Sequence, residues 1–168
     1  MASTYELIAS QTLGSDTASV TFSSIPQTFD DLVFKYHARS TGSGSWVTGY
    51  FFFNAGQGAN PTRSGRNLFG TGSSAGSDTN PNIVMANGAS TTANTFSSGE
   101  IYIPNYAGST SKTASGSAVT ENNATSAIVW QSAYLGSDTA AITTIYTEMT
   151  SGSYVTGSSF YLYGISHS

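Results

Sequence analysis

The stretch Leu32–Arg39, LVFKYHAR, decides how this chain reads. Leu32, Phe34, Tyr36 and Ala38 alternate with Val33, Lys35, His37 and Arg39, setting a largely apolar face against a largely polar one. Successive side chains of a strand point to opposite faces, so a period of two marks a strand half-buried on a core. The same signal recurs outward from it. Val20 and Phe22 alternate with Thr21 and Ser23, and Ile101 and Ile103 flank Tyr102. Further strands are expected at about residues 5–10, 126–135, 142–149 and 158–165. No window sustains a 3.6-residue period with caps, so little or no helix is expected.

Composition supports the same class. Of 168 residues, 52 are Ser or Thr and 18 are Gly, while 14 are charged and none is Cys. A Ser/Gly tract without apolar material would stay disordered. This chain also holds 10 Tyr, 9 Phe and 2 Trp, enough to build a core of twisted strands. At this length a single domain is expected, burying roughly 70% of its unfolded surface without disulfides or metals. The net charge of -4 and five cations give no electrostatic reason to bind nucleic acid or an anionic membrane. No apolar run approaches the roughly 20 residues that span a bilayer. The opening MASTYELIAS lacks a basic patch followed by an apolar run, so no signal peptide is expected and synthesis is placed in a cytoplasm.

Two segments are apolar on both faces. In WVTGYFFFN, Tyr50 and Phe52 point one way and Phe51 and Phe53 the other; in SSFYLYGI, Phe160 and Leu162 oppose Tyr161, Tyr163 and Ile165. Such strands are covered either by other parts of the chain or by another subunit. Tyr50, Phe51, Phe52, Phe53, Tyr161 and Tyr163 are therefore candidate interface residues.

Residues 54–99 differ in composition, being rich in Gly, Asn, Ser and Pro, with turn starters at Asn60-Pro61 and Asn80-Pro81. This reads as a loop-rich elaboration of the domain with short strands near 67–70 and 82–86. Arg63 and Arg66 within it hold two of the five cations. They are candidates to dock on an acidic neighbour or are simply solvated. LGSDTASVT (13–21) is echoed by LGSDTAAIT (135–143), either two equivalent corners of a sandwich or a reuse of good turn chemistry.

Catalytic apparatus is scarce. Gly72-Ser73-Ser74-Ala75-Gly76 fits G-x-S-x-G, but its surroundings are turn-forming rather than strand and helix. Asp30-Asp31 is the one adjacent carboxylate pair; it reads as solvated turn charge or as part of a calcium site. His37 and His167 are isolated, and no metal site or cofactor is expected. Trp46, Trp130 and the tyrosines offer faces on which sugars stack, although aromatics also dominate the cores of β proteins. Asn123-Ala124-Thr125 is a glycosylation sequon by pattern.

Several segments resemble small virion structural proteins of tailed phages, notably those of cyanobacteria and marine bacteria. The likeness runs through TYELIASQTLGSDTASVTFSSIP (4–26), FDDLVFKYHARS (29–40), SSGEIYIPNYAGSTSK (97–112), ENNATSA (121–127) and AAITTIYTEMTSGSYVTGSSFYLYGISHS (140–168). The resemblance implies a non-enzymatic β-sandwich, jelly-roll-like, assembling on a capsid or tail. It carries over no functional residue. The combined expectation is an all-β, single-domain antiparallel sandwich over 1–168 with a loop-rich insertion at about 54–99. Its expected role is decoration or cementing of the capsid, as a homo-oligomer (a trimer, by analogy) bound to the major capsid protein or to tail proteins. The alternative is a receptor- or glycan-binding module of the tail or fibre.

Overall fold

The structure is a computed structural model that describes residues 4–54, 63–70, 75–78, 82–121 and 127–167. The Ser73-Ser74 and Asn123 patterns and both Asn-Pro turns fall outside these residues. So do the side chains of 63–70 and 75–78.

Twelve strands follow one another: β1 (Tyr5–Thr12), β2 (Ser19–Phe22), β3 (Asp31–Ala38), β4 (Trp46–Phe53), β5 (Arg63–Gly70), β6 (Ala75–Asp78), β7 (Asn82–Asn87), β8 (Ser97–Ile103), β9 (Lys112–Glu121), β10 (Ala127–Gly136), β11 (Ile145–Met149) and β12 (Ser159–Ile165). No helix occurs among the described residues. Every strand pairing is antiparallel. The large sheet has the order β1-β12-β3-β8-β9-β10-β5-β6, and the small one β2-β11-β4-β7. The two pack face to face as an all-β sandwich. The steps β1→β2, β3→β4, β7→β8 and β11→β12 each pass from one sheet to the other.

The alternation in β3 becomes burial. Leu32, Phe34, Tyr36 and Ala38 join the core, while Lys35 and His37 turn outward. Phe34 is the hub, its ring 5.1 Å from Phe51, 5.9 Å from Phe22 and 6.1 Å from Phe160. Rings at these separations add attraction beyond area burial. Tyr154 packs on Phe160 at 4.9 Å, and its hydroxyl lies 2.6 Å from Thr147 Oγ1. That bond satisfies a polar atom that would otherwise be costly to bury.

β9 was not expected from the sequence. Among its inward residues, Ala114 and Ala118 are small and stand opposite the large Tyr134 and Trp130 of β10. Small on one strand and large on the next lets the layer interdigitate. Residues 63–87 also hold more structure than expected: three strands, with β5 and β6 extending the large sheet and β7 closing the small one. Arg63 and Arg66 thus lie on a strand, in register with Gly136 and Ala133, not in a loop. The strand expected at 142–149 begins only at Ile145.

Two buried cations tie loops down. The Arg39 guanidinium donates to Thr91 Oγ1 (2.8 Å) and to the carbonyls of Thr92 (2.9 Å), Thr95 (3.0 Å) and Thr91 (3.2 Å). Lys112 Nζ donates to the carbonyls of Gly108 (2.6 Å) and Thr110 (2.7 Å), and burial pushes its pKa down. The echoed segments run into β2 and β11, which are paired neighbours, but Leu13 is buried and Leu135 exposed. Their turns differ as well. Asp16 accepts from the Thr156 N–H, and Asp138 accepts from the Ala140 N–H.

Candidate functional site: the outer face of the large sheet

Strand register arranges the outward side chains of the large sheet in rows that cross the strands. One row runs Leu7, Tyr163, Val33, Tyr102, Ser115, Ala133; the next runs Ser10, Tyr161, Lys35, Glu100, Ser117, Gln131. Directly opposite residues on one face are the interacting unit of a sheet. The first row is aromatic and aliphatic at the β1 end and becomes small and polar toward β9. The second carries an ion pair at its centre, Lys35 Nζ to Glu100 Oε2 at 3.1 Å, both side chains nearly half exposed. That hydrogen bond raises the Lys35 pKa. A pair this open contributes little to stability.

At the β1–β12 end the Tyr5 ring lies 5.2 Å from Tyr163, with Lys35 Nζ 5.6 Å from the Tyr5 centroid. Below it, Asp31 is 4% exposed. Its carboxylate accepts from Tyr102 OH (2.5 Å) and the Asn105 N–H (2.8 Å), and pairs with His167 Nε2 at 2.9 Å. Asp30 accepts from the His167 N–H at 2.5 Å. Asp31 is therefore a hydrogen-bonded junction between β3, the turn after β8 and the segment after β12, rather than a solvated turn charge. Its hydrogen bond pushes the Tyr102 pKa up. Among the described residues no group of three His, Asp or Glu is placed to hold a metal ion.

Toward the middle of the face lies a trough of about 510 Å³ over Lys35, His37, Ser98, Glu100, Ser117 and Gln131. A second hollow of about 160 Å³, reaching Tyr102 and Ser115, shares Glu100, Ser117 and Gln131 with it. The hollows exist because Ser98, Ser115 and Ser117 are short while Tyr102, Val119 and Gln131 stand taller around them.

The candidate interface residues divide between opposite sides of the molecule. Tyr161 and Tyr163 lie half-buried on this face. Phe51 and Phe53 point into the core. Phe52 is on the outer face of the small sheet, its ring 5.7 Å from Tyr50 and 6.0 Å from Tyr146, and it is only 3% exposed within a single chain. The three phenylalanines are thus covered inside the subunit, and Tyr50 is the part-exposed member of that group. Trp46 packs on the buried Trp130 at 6.1 Å.

Seven large apolar side chains are between 37% and 50% exposed among the described residues, and six of them lie on this one face: Tyr5, Leu7, Tyr102, Val119, Val129 and Leu135. Composition could not locate them, because which side of a strand faces water depends on what the other sheet covers. Neither the protein-family models nor the curated proteins contain a match to this chain.

Proposed function

We propose that this chain is a non-enzymatic virion structural protein of a tailed phage, a decoration or cement protein that joins neighbouring capsid subunits. The observation that carries the reading is the concentration of exposed apolar side chains on the outward face of one sheet. Tyr5 and Leu7 cluster at its β1–β12 end, apart from the directly opposed Val119 and Val129 beyond the polar trough, and clustered exposed apolar surface marks protein docking. The strand orders β1-β12-β3-β8 and β2-β11-β4-β7, to which the β9–β10 and β5–β6 hairpins add, support a jelly-roll reading. Capsid proteins and lectins both use that wiring.

Subunits of the oligomer meet through the β1–β12 end, where Tyr5, Leu7, Tyr161 and Tyr163 gather beside β1, the edge strand of the large sheet among the described residues. Contact with the shell falls to the opposite end of the sheet, on β5, the strand beside edge strand β6, which carries Arg63 and Arg66. Binding to an assembled shell and not to its free subunits stabilises the shell by mass action.

Light scattering on wild type and on a Leu7→Asp, Tyr163→Asp variant tests the first contact. An oligomer that falls to monomer mass in the variant is expected; an unchanged mass removes the β1–β12 end as the subunit contact. Mixing the wild-type protein with undecorated shells and counting bound copies tests the role itself, and absence of binding overturns it.

A further inference from the structure

We propose that the trough at the centre of the large sheet is a binding site for a neutral, hydroxyl-rich ligand, a short saccharide chain, independent of the subunit contact at the β1–β12 end.

Shape comes first. The two hollows adjoin, sharing Glu100, Ser117 and Gln131 as lining, and the larger runs across β3, β8, β9 and β10. Adjacent strands lie about 4.8 Å apart. The row Lys35, Glu100, Ser117, Gln131 therefore presents one hydrogen-bonding group per strand at a spacing close to the repeat of a pyranoside chain.

Charge then selects the ligand class. Lys35 and Glu100 are the formally charged groups lining the hollows, and they neutralise each other at 3.1 Å. A phosphate would meet the Glu100 carboxylate, and a free amine would meet the Lys35 ammonium. A neutral polyol meets neither penalty. The carboxylate accepts from vicinal hydroxyls, the ammonium donates to them, and Ser98, Ser117 and the Gln131 amide do both. Tyr102 and Val119, 37% and 49% exposed, offer apolar walls for the C–H face of a ring.

Peptide is disfavoured by the backbone. Recognition of an extended peptide by strand addition needs an open sheet edge. Here β3, β8, β9 and β10 are each paired on both sides.

The test is a ¹H–¹⁵N NMR titration of the full chain with cellotriose, maltotriose and triacetylchitotriose. At least one is expected to move the amides of Ser98, Glu100, Ser117 and Gln131 together. Gln131→Ala, which removes one neutral hydrogen-bonding group, should weaken that binding by up to about tenfold. Ser117→Trp should fill the trough and abolish it, with the thermal midpoint checking that each variant folds. If none of the three sugars moves those amides at its solubility limit, the proposal falls. It falls equally if Ser117→Trp folds and still binds, since the sugar then sits elsewhere. Light scattering on the same samples reports the subunit contact separately, so failure of one reading is distinguishable from failure of the other.

Discussion

Tyr36 lies directly across β3–β8 from Gly99, and its ring fills the space that a Cβ at position 99 would occupy. The phenol reaches over the bare backbone to the other sheet, where its oxygen accepts the Met85 N–H at 3.0 Å. One tyrosine thus bridges the sandwich, and a glycine makes room for it. Gly99→Ala should force the ring out of this position and cost about 1–3 kcal/mol, the usual range for overpacking a core. Tyr36→Phe should cost a similar amount by leaving the buried Met85 amide without an acceptor. Urea unfolding of each variant measures both, and wild-type midpoints would show that the bridge does not matter.

The Arg39 guanidinium is buried among hydroxyls and carbonyls of residues 89–95, with no carboxylate contact within its hydrogen-bonded set. Arg39→Met keeps the apolar stem and leaves several of those carbonyls unsatisfied. A loss of about 1–3 kcal/mol is expected. Amide hydrogen exchange should speed up at 88–95 well before it does in β3. Uniform acceleration across the chain would argue against a local anchoring role.

Burial pushes the pKa values of Tyr36 and Tyr154 far above the ordinary tyrosine value of about 10. A folded-state pKa raised above the unfolded one adds stability that is complete below pH ~10 and is lost as pH climbs beyond it. Alkaline titration should therefore show some tyrosines ionising reversibly, then a cooperative step in which tyrosinate absorbance and loss of far-ultraviolet signal coincide. If all ten tyrosines titrate reversibly while the fold persists, these two are not buried as described.

Phe52→Asp should act on folding rather than on assembly. The ring is covered within the subunit, so the substitution buries a carboxylate among Tyr50 and Tyr146. A buried unpaired charge costs several kcal/mol or neutralises itself. The variant should show a depressed melting midpoint or fail to express as soluble protein. A fully stable monomer would place Phe52 in a subunit interface instead.

Arg63→Glu together with Arg66→Glu should weaken attachment to undecorated shells without changing oligomer mass. Wild-type attachment should fall as salt rises, because ionic contacts at a surface are screened. Attachment indifferent both to the charge reversal and to salt would remove β5 as the shell contact.

Legibility in the sequence varied from strand to strand, for reasons visible in particular residues. β3 was plain because its large apolar residues alternate cleanly with Lys35 and His37. β9, KTASGSAVTE, alternates just as strictly in burial, but Ala114, Gly116 and Ala118 face inward and Thr113, Ser115 and Ser117 outward, while its large aliphatic residue, Val119, faces solvent. Side-chain polarity therefore carries almost no signal there, and pairing with β8 and β10 makes it a strand. Asp31 looked like a turn charge because its partners Tyr102, Asn105 and His167 lie 71 residues or more away in sequence. None of the trough was legible, since Lys35, Glu100, Ser117 and Gln131 meet only through the register of four strands.

By itself the sequence determined the class of fold and the poverty of reactive groups. Both depend on local facts, the two-residue period and the residue inventory, which hold whatever the strands pair with. Tertiary structure alone decided which faces are covered and which stay wet. Phe52 is hidden, while Leu7, Val119 and Leu135 are open, although all four occupy strands of similar pattern. Coverage follows from the order and register of distant strands, a long-range choice that no single segment encodes.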